Sequence, residues 1–290
     1  MDFKNAAELI EICERNTWPI SRVMIERECS ENETAREDVI ARMQHALTIM
    51  KNSAHSAIVS PSASMGGLLG GEAAKLNDYR TGHPTACGEI VTRGIAYAMG
   101  VLEVNAQMGL IVAAPTAGAS GVIPGVLFTL QDAYGFSDEQ LVHALFNAGA
   151  LGYLAMRNAT VSGAVGGCQA EVGVGSAMAA SAAVELMGGT PNQCLDAAST
   201  VLMNMLGLVC DPVGGLVEYP CQNRNAAGVA NALAAAEMAL AGIRQLIPYD
   251  EMLTIMYKVG RTLPNELRET SLGGCAVSAS ARSACRICRR

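Results

Sequence analysis

Aromatic residues make up only 4% of this 290-residue sequence, and no basic stripe is interleaved with them. Proteins that bind single-stranded nucleic acid stack bases on aromatic rings inside a positively charged groove. With a net charge of −7 and a pI near 5.2, the chain has neither half of that surface, so no nucleic-acid partner is expected. Charged residues are scarce as well, at 16%, while half of the chain is hydrophobic and its mean hydropathy is +0.25. That balance raises the question of a membrane span. The longest uncharged run, 104–131, is broken by Pro115 and Pro124 and dotted with Gly, Ser, Thr and Asn. A spanning helix needs roughly 20 mostly apolar residues, so the run reads as buried helix, loop, buried helix, and no membrane contact is expected. The first residues lack the basic-then-apolar order of a secretory signal, and a cytoplasmic location is expected. β-Branched alternation is nearly absent, which removes the usual strand signal. With no internal repeat and no long linker, 1–290 reads as one all-α domain, large enough to bury a sizeable core.

What is present falls into three zones. Residues 1–57 carry the charged outer faces of amphipathic helices, expected at about 3–15, 19–29 and 35–53. Pro19 suits the first turn of the second helix, and Thr34-Ala35-Arg36-Glu37 has the pattern of a capping box opening the third. In 104–209 the only charged residues are Asp132, Asp138, Glu139, Arg157, Glu171, Glu185 and Asp196. So few charges cannot clothe a set of surface helices, so this zone is expected inside the domain or inside an oligomer. Its Ala- and Gly-rich stretch 174–188 favours close helix–helix approach, and Ala favours helix. The third zone, 222–290, returns to amphipathic helix at about 225–246 and near 250–260. A loop with Pro264 and a short basic, Cys-bearing tail at 282–290 follow.

Gly-punctuated breaks interrupt the apolar sequence at 60–73, 114–125, 162–173 and 208–223. Buried loops must satisfy their own backbone groups. Each break alone is equally well a plain helix-to-helix turn, but four of them point to a shared pocket. Ten cysteines are also present. In a reducing compartment a surplus of cysteine points to metal binding or catalysis, although any single free cysteine is commonly a small buried hydrophobe. Cys168 follows Gly-Gly, and Cys210 and Cys221 stand beside Asp-Pro and Tyr-Pro. A packing cysteine needs no such turn chemistry, whereas a thiolate ligand must project from a rigid turn with N–H groups near its sulfur. The spacing matches neither paired C-x2-C zinc knuckles nor the close run of small ferredoxins. Three separated single ligands suit an iron–sulfur cluster with one iron left open, and packing remains the competing reading.

The motifs E-V-N-A-Q-M-G (103–109), A-P-T-A-G-A-S-G-V-I-P-G (114–125), S-G-A-V-G-G-C-Q-A-E-V-G (162–173), C-D-P-V-G-G-L-V-E-Y-P-C (210–221) and R-N-A-A-G-V-A-N-A (224–232) occur together. On these, the chain resembles the alpha subunit of the iron–sulfur-dependent L-serine dehydratases over essentially its whole length. The resemblance implies a [4Fe–4S] cluster held by Cys168, Cys210 and Cys221. It also implies conversion of L-serine to pyruvate and ammonia without pyridoxal phosphate, a step of amino-acid degradation that feeds gluconeogenesis. The open iron would act as a Lewis acid on the serine hydroxyl. Substrate contacts are expected from Ser60, Ser62 and Ser64, from Thr116, Ala117 and Gly118 at a helix start that suits an anion, and from Arg224 and Asn225. A helix cap for Ser60 and a surface salt bridge for Arg224 are the plain alternatives.

No general base is identified. His45 and His143 lie on helical stretches and read as structural, and His55 and His83 belong to no matched motif. The family carries a Ser-Ser-His-Thr motif that this chain lacks, so a beta-type partner subunit is expected to complete the site, and homo-oligomerisation is expected too. In some relatives a C-terminal cysteine folds back onto the open iron; Cys288 and Cys285 are the candidates here, with a redox pair as the other reading. Cys275 matches no family position, and Cys13, Cys29, Cys87 and Cys194 read as packing residues. Two other readings stay open: a related cluster-dependent lyase for L-cysteine or another β-substituted amino acid, and a non-catalytic helical assembly subunit.

Overall fold

The structure, a computed structural model, describes residues 2–286. Among these are thirteen α-helices and no strand, as the lack of β-branched alternation predicted. They are α1 (Ala6–Asn16), α2 (Ile20–Glu31), α3 (Arg36–Val59), α4 (Glu72–Gly82), α5 (Gly88–Ala106), α6 (Val122–Tyr134) and α7 (Asp138–Asn158). Then come α8 (Gly163–Gly166), α9 (Val174–Leu186), α10 (Pro191–Asn204), α11 (Cys221–Leu240), α12 (Tyr249–Thr262) and α13 (Ala279–Ala284). No helix among the described residues is long and apolar enough to cross a membrane.

The charge-poor zone is interior in its central helices, although its connecting stretches expose Met108, Leu110, Tyr134 and Met156. Helix α9 is buried from Val174 to Val184 and is surrounded by α6, α7, α10 and α11. Its polar side chains must find partners inside, and Ser181 does so, donating to Asn147 Oδ1 at 2.6 Å, while Asn147 Nδ2 donates to Glu185 Oε2 at 2.7 Å. Helices α5 and α6 approach closely through glycine. A Cβ on Gly125 would stand 2.6 Å from the Gly94 carbonyl oxygen and 2.8 Å from Val229 Cγ2. The ends of the chain are tied together as well: Asp250, in the first turn of α12, accepts from the Ala6 amide at 2.9 Å and so caps α1.

The predicted capping box at Thr34 is not formed. The Thr34 hydroxyl donates to the Asn32 carbonyl at 2.9 Å, and α3 begins after Ala35 with no side-chain cap. A hydroxyl bonded back into the preceding turn is not available to the helix amides. True capping boxes occur instead at Ser137–Gln140 and Thr190–Gln193, opening α7 and α10. Pro19 precedes α2 as its cap residue, and α3 runs on to Val59, so the first Gly-rich break emerges directly from a helix end.

Candidate active site

Three of the four Gly-punctuated breaks meet around sulfur. Cys168 follows the short α8 and opens a π-helical turn, Gln169–Gly173, that runs into α9. Gly167 has φ +76° and lies so close to the Leu208 carbonyl, 2.8 Å from where a Cβ would be, that only glycine fits there. The turn is held from both sides: the Gln169 amide donates to Leu208 O at 3.0 Å, Gln169 Oε1 accepts from Gly207 N at 2.8 Å, and Gln169 Nε2 donates to Met256 O at 3.0 Å. Cys210 starts the second loop, and Cys221 is the first residue of α11, where unpaired helix amides favour negative charge. All three cysteines are buried and free.

Their electrostatics are unequal. A hydrogen bond from Cys210, helped by the Arg224 guanidinium and the Val172 amide, holds the Cys168 thiol below the ordinary thiol range. That same hydrogen bond, with burial, pushes Cys210 up. Burial and the neighbouring Cys168 push Cys221 up to about 12. One negative charge is thus favoured at Cys168, beside a cation. Arg224 donates to the Val209 carbonyl at 2.8 Å and pairs with the buried Asp211 at 2.7 Å. Its other side faces an open cavity of about 710 Å³ lined in part by Asn204, Leu208, Ala227 and Asn231.

A carboxylate completes the cluster of groups. Glu171, on the π-helical turn, lies 3.5 Å from Cys210 Sγ and accepts from Thr116 Oγ1 at 2.9 Å. Burial raises its pKa above the usual carboxylate range. The backbone makes room for it at Gly163, where a Cβ would collide with Glu171 Oε2 and sit 3.0 Å from Cys210 Sγ. Asn225 fastens the 116–121 loop in place. It is fully buried, accepts from Gly121 N at 3.0 Å, and donates to the carbonyls of Gly118 at 2.7 Å and Cys221 at 2.9 Å.

Of the expected substrate contacts, Thr116 and Gly118 lie beside Glu171, with Ala117 between them in the chain, and Arg224 lies beside Cys168. Asn225 bonds to backbone. The serines divide: Ser60 and Ser62 are exposed on the loop after α3, whereas Ser64 is buried and donates to Glu218 Oε2 at 2.6 Å. The histidines stand elsewhere. His45 is exposed on α3, His143 faces Ser21, His55 packs on Tyr97 and His83 stacks on Tyr79. Sequence reasoning passed over Glu171, Asp211 and Glu218, although each is an acid inside a Gly- or Pro-rich motif, where an unneutralised buried charge is costly unless it has a task.

The C-terminal segment lies over this site. Cys210 N donates to Leu267 O at 2.9 Å, and Glu269 N donates to Cys210 O at 2.7 Å. Ser271 Oγ donates to Pro212 O at 2.6 Å and the Cys275 amide to Asp211 Oδ2 at 2.6 Å. Arg286 N reaches Gly66 O at 3.2 Å. Cys285 is buried and disulfide-bonded; Cys288 lies outside the described residues.

Among the described residues, no group of three or more His, Cys, Asp or Glu side chains is placed to hold a single metal ion. The donor set is nonetheless soft, three thiols without an imidazole, which is the ligand chemistry of iron–sulfur clusters rather than of a hard cation. The helical scaffold thus buries three free thiols, one carboxylate and one arginine where loops converge. Residues 15–276 match the profile of the serine dehydratase alpha chain, and the chain belongs to that family of enzymes. It is 47% identical over 280 residues to the probable L-serine dehydratase, alpha chain, of Bacillus subtilis (strain 168), covering 97% of this chain and 93% of the relative. It is 40% identical over 273 residues to the L-serine dehydratase, alpha chain, of Peptoniphilus asaccharolyticus, covering 94% of each. The L-serine dehydratase of Mycobacterium bovis (strain ATCC BAA-935 / AF2122/97) is 36% identical over 288 residues, which span 96% of this chain but only 62% of the relative.

Proposed function

We propose that this chain is the catalytic alpha chain of an L-serine dehydratase, in which Cys168, Cys210 and Cys221 hold a [4Fe–4S] cluster. The observation that carries the reading is the burial of these three free thiols around Arg224 and Glu171. When bound, the cluster would supply an open iron as Lewis acid for the substrate's β-hydroxyl. The chain's own residues would bind and orient the amino acid. The amides at the start of the Ala117–Ala119 turn would receive the carboxylate, while the Thr116 hydroxyl, whose proton is given to Glu171, would turn its oxygen toward the substrate ammonium. Arg224 would offset negative charge on the sulfur side. Serine would lose its Cα proton and its hydroxyl as water to give aminoacrylate. Tautomerisation and uptake of water then give pyruvate and ammonia.

A second subunit, beta-type, would contribute the group that takes the Cα proton. Two observations support it: the histidines of this chain stand away from the thiols, and exposed Val59, Met65, Met108 and Leu110 border the loop that carries Ser60 to Ser64. The longer single-chain relatives, of which this chain spans 62%, agree with a second component. We place the enzyme in the cytoplasm.

The test is anaerobic co-expression with the partner, followed by absorbance in the iron–sulfur charge-transfer region, iron content and pyruvate formation. Iron near cluster stoichiometry, with activity on L-serine above that on L-cysteine, is expected, and Cys168→Ala, Cys210→Ala and Cys221→Ala should each abolish both. A colourless, inactive complex would leave the assembly-subunit reading in its place.

A further inference from the structure

The loop between Cys210 and Cys221 carries an acid with no part in the site as described above. Glu218 is 1% exposed, and among the described residues the donors to its carboxylate come from one other loop. Ser64 Oγ donates to Oε2 at 2.6 Å, Gly66 N to Oε1 at 2.6 Å and Leu68 N to Oε2 at 3.2 Å. The loop closes around this anion. Ser64 Oγ also accepts from Leu69 N at 3.0 Å, and Ser64 N donates to Leu69 O at 2.9 Å. Gly66 lets the carboxylate come close: a Cβ there would stand 2.9 Å from both of its oxygens and 2.5 Å from Leu216 Cδ1. Successive amides turned toward one anion form a nest of the kind that binds carboxylates and phosphates; here the protein supplies the anion itself.

At its other end Glu218 is fixed to the sulfur side. Its carbonyl accepts from Gln222 N at 3.0 Å in the first turn of α11, whose first residue is Cys221, and Val213 N donates to the adjoining Tyr219 O at 2.9 Å. Burying a carboxylate is costly unless it is well bonded. The loop it holds is a surface loop in which Pro61, Ser62, Ala63 and Met65 are exposed, so packing alone has no need of the device. We propose that Glu218 is a positioning residue. It clasps the 60–69 loop, which carries the expected substrate contacts Ser60 and Ser62, to the turn that carries Cys221, and so sets where that loop stands relative to the Cys221 side of the site. The proposal rests on the function argued above.

The test uses Glu218→Gln, Glu218→Asp and Ser64→Ala in the anaerobically loaded complex with its partner, and hydrogen exchange on the metal-free chain. Glutamine keeps the size but turns an NH2 toward an N–H donor, and aspartate withdraws the acceptors by one methylene. Loss of a charge-assisted hydrogen bond corresponds to about tenfold. Glu218→Gln is therefore expected to raise KM for L-serine about tenfold, with kcat changed less and iron content at the wild-type level. Aspartate should restore part of the loss, and Ser64→Ala should raise KM by a smaller factor. In the metal-free chain, the Gly66 and Leu68 amides should exchange about tenfold faster in Glu218→Gln. An unchanged KM, or iron loss with normal KM in the remaining active fraction, overturns the proposal. If the wild-type complex proves inactive, the functional reading fails by itself, and exchange then decides the clasp: unchanged Gly66 and Leu68 amides refute it. Should Glu218→Gln fail to fold, Ser64→Ala carries the same comparison.

Discussion

Asn225 offers the sharpest numerical test of how the pocket is held. Its side chain is fully buried and joins three segments, accepting from Gly121 N and donating to Gly118 O and Cys221 O. In Asn225→Ala, the Cys221 carbonyl can still serve the helix, but the Gly121 N–H and the Gly118 C=O lose their partner in a site water cannot easily reach. At about 1–3 kcal/mol for each stranded buried group, the expected loss is about 4 kcal/mol. For a chain of this size about 1 kcal/mol moves Tm by 2–4 °C, so a fall of at least about 8 °C should appear in circular dichroism melts. The metal-free chain is the right sample, because bound metal adds stability by linkage. Asn225→Asp is the control. It keeps the acceptor for Gly121 N–H but turns a carboxylate oxygen toward two carbonyls, and should destabilise at least as much as alanine. A loss below about 1 kcal/mol for alanine, or a near-neutral aspartate, would refute the clamp.

Three further outcomes follow from the same geometry. Gly125→Ala should lose up to about 2 kcal/mol, since overpacking against the Gly94 carbonyl and Val229 costs about 1–3 kcal/mol and helix propensity returns only about 1; a stabilised variant would contradict the close contact of α5 with α6. Native maleimide labelling should modify the exposed Cys87 and Cys275 first, with Cys168, Cys210 and Cys221 protected until the chain is denatured; early labelling of the three would contradict their burial. Asp138 is held below its ordinary value of 3.8 by hydrogen bonds from Lys51 and Gln131. A depressed acid contributes stability above its unfolded pKa and loses it as pH falls through the folded value. Lys51→Met should therefore lower stability above about pH 4, by less than about 1 kcal/mol because the pair is half exposed, and converge with the wild type at lower pH, which flattens the acid limb; an unchanged acid limb in a denaturant titration would refute it.

The all-helical class and the burial of 104–209 were legible because both rest on composition and period. Seven charges spread over that zone cannot face water on several helices, and α9 is buried accordingly. Helix ends were less legible. Thr34 and Glu37 have the right spacing for a capping box, yet the hydroxyl found a nearer carbonyl, whereas the real boxes at Ser137 and Thr190 sat inside a zone read for hydrophobicity. The three cysteines were marked by the turns around them. Glu171, Asp211 and Glu218 were not, because their partners are distant in sequence: Thr116, Arg224 and Ser64 are reached only when loops fold together. Ser64 illustrates the cost of that blindness. Its hydroxyl looked free for a substrate and is bonded to an internal acid.

The segment that follows α12 has a consequence for the order of events in the cell. Cys210 exchanges backbone hydrogen bonds with Leu267 and Glu269, Asp211 receives the Cys275 amide, and Gly66 receives that of Arg286. Leu267, Glu269, Cys275 and Arg286 are all synthesised after the three cysteines. While residues 263–286 are still within the ribosome, the wall over Cys210 does not exist, and the thiols stand open to whatever delivers metal or oxidant. The last stretch of chain is thus the closing wall of the thiol cluster, and that wall is the final part of the fold to be made.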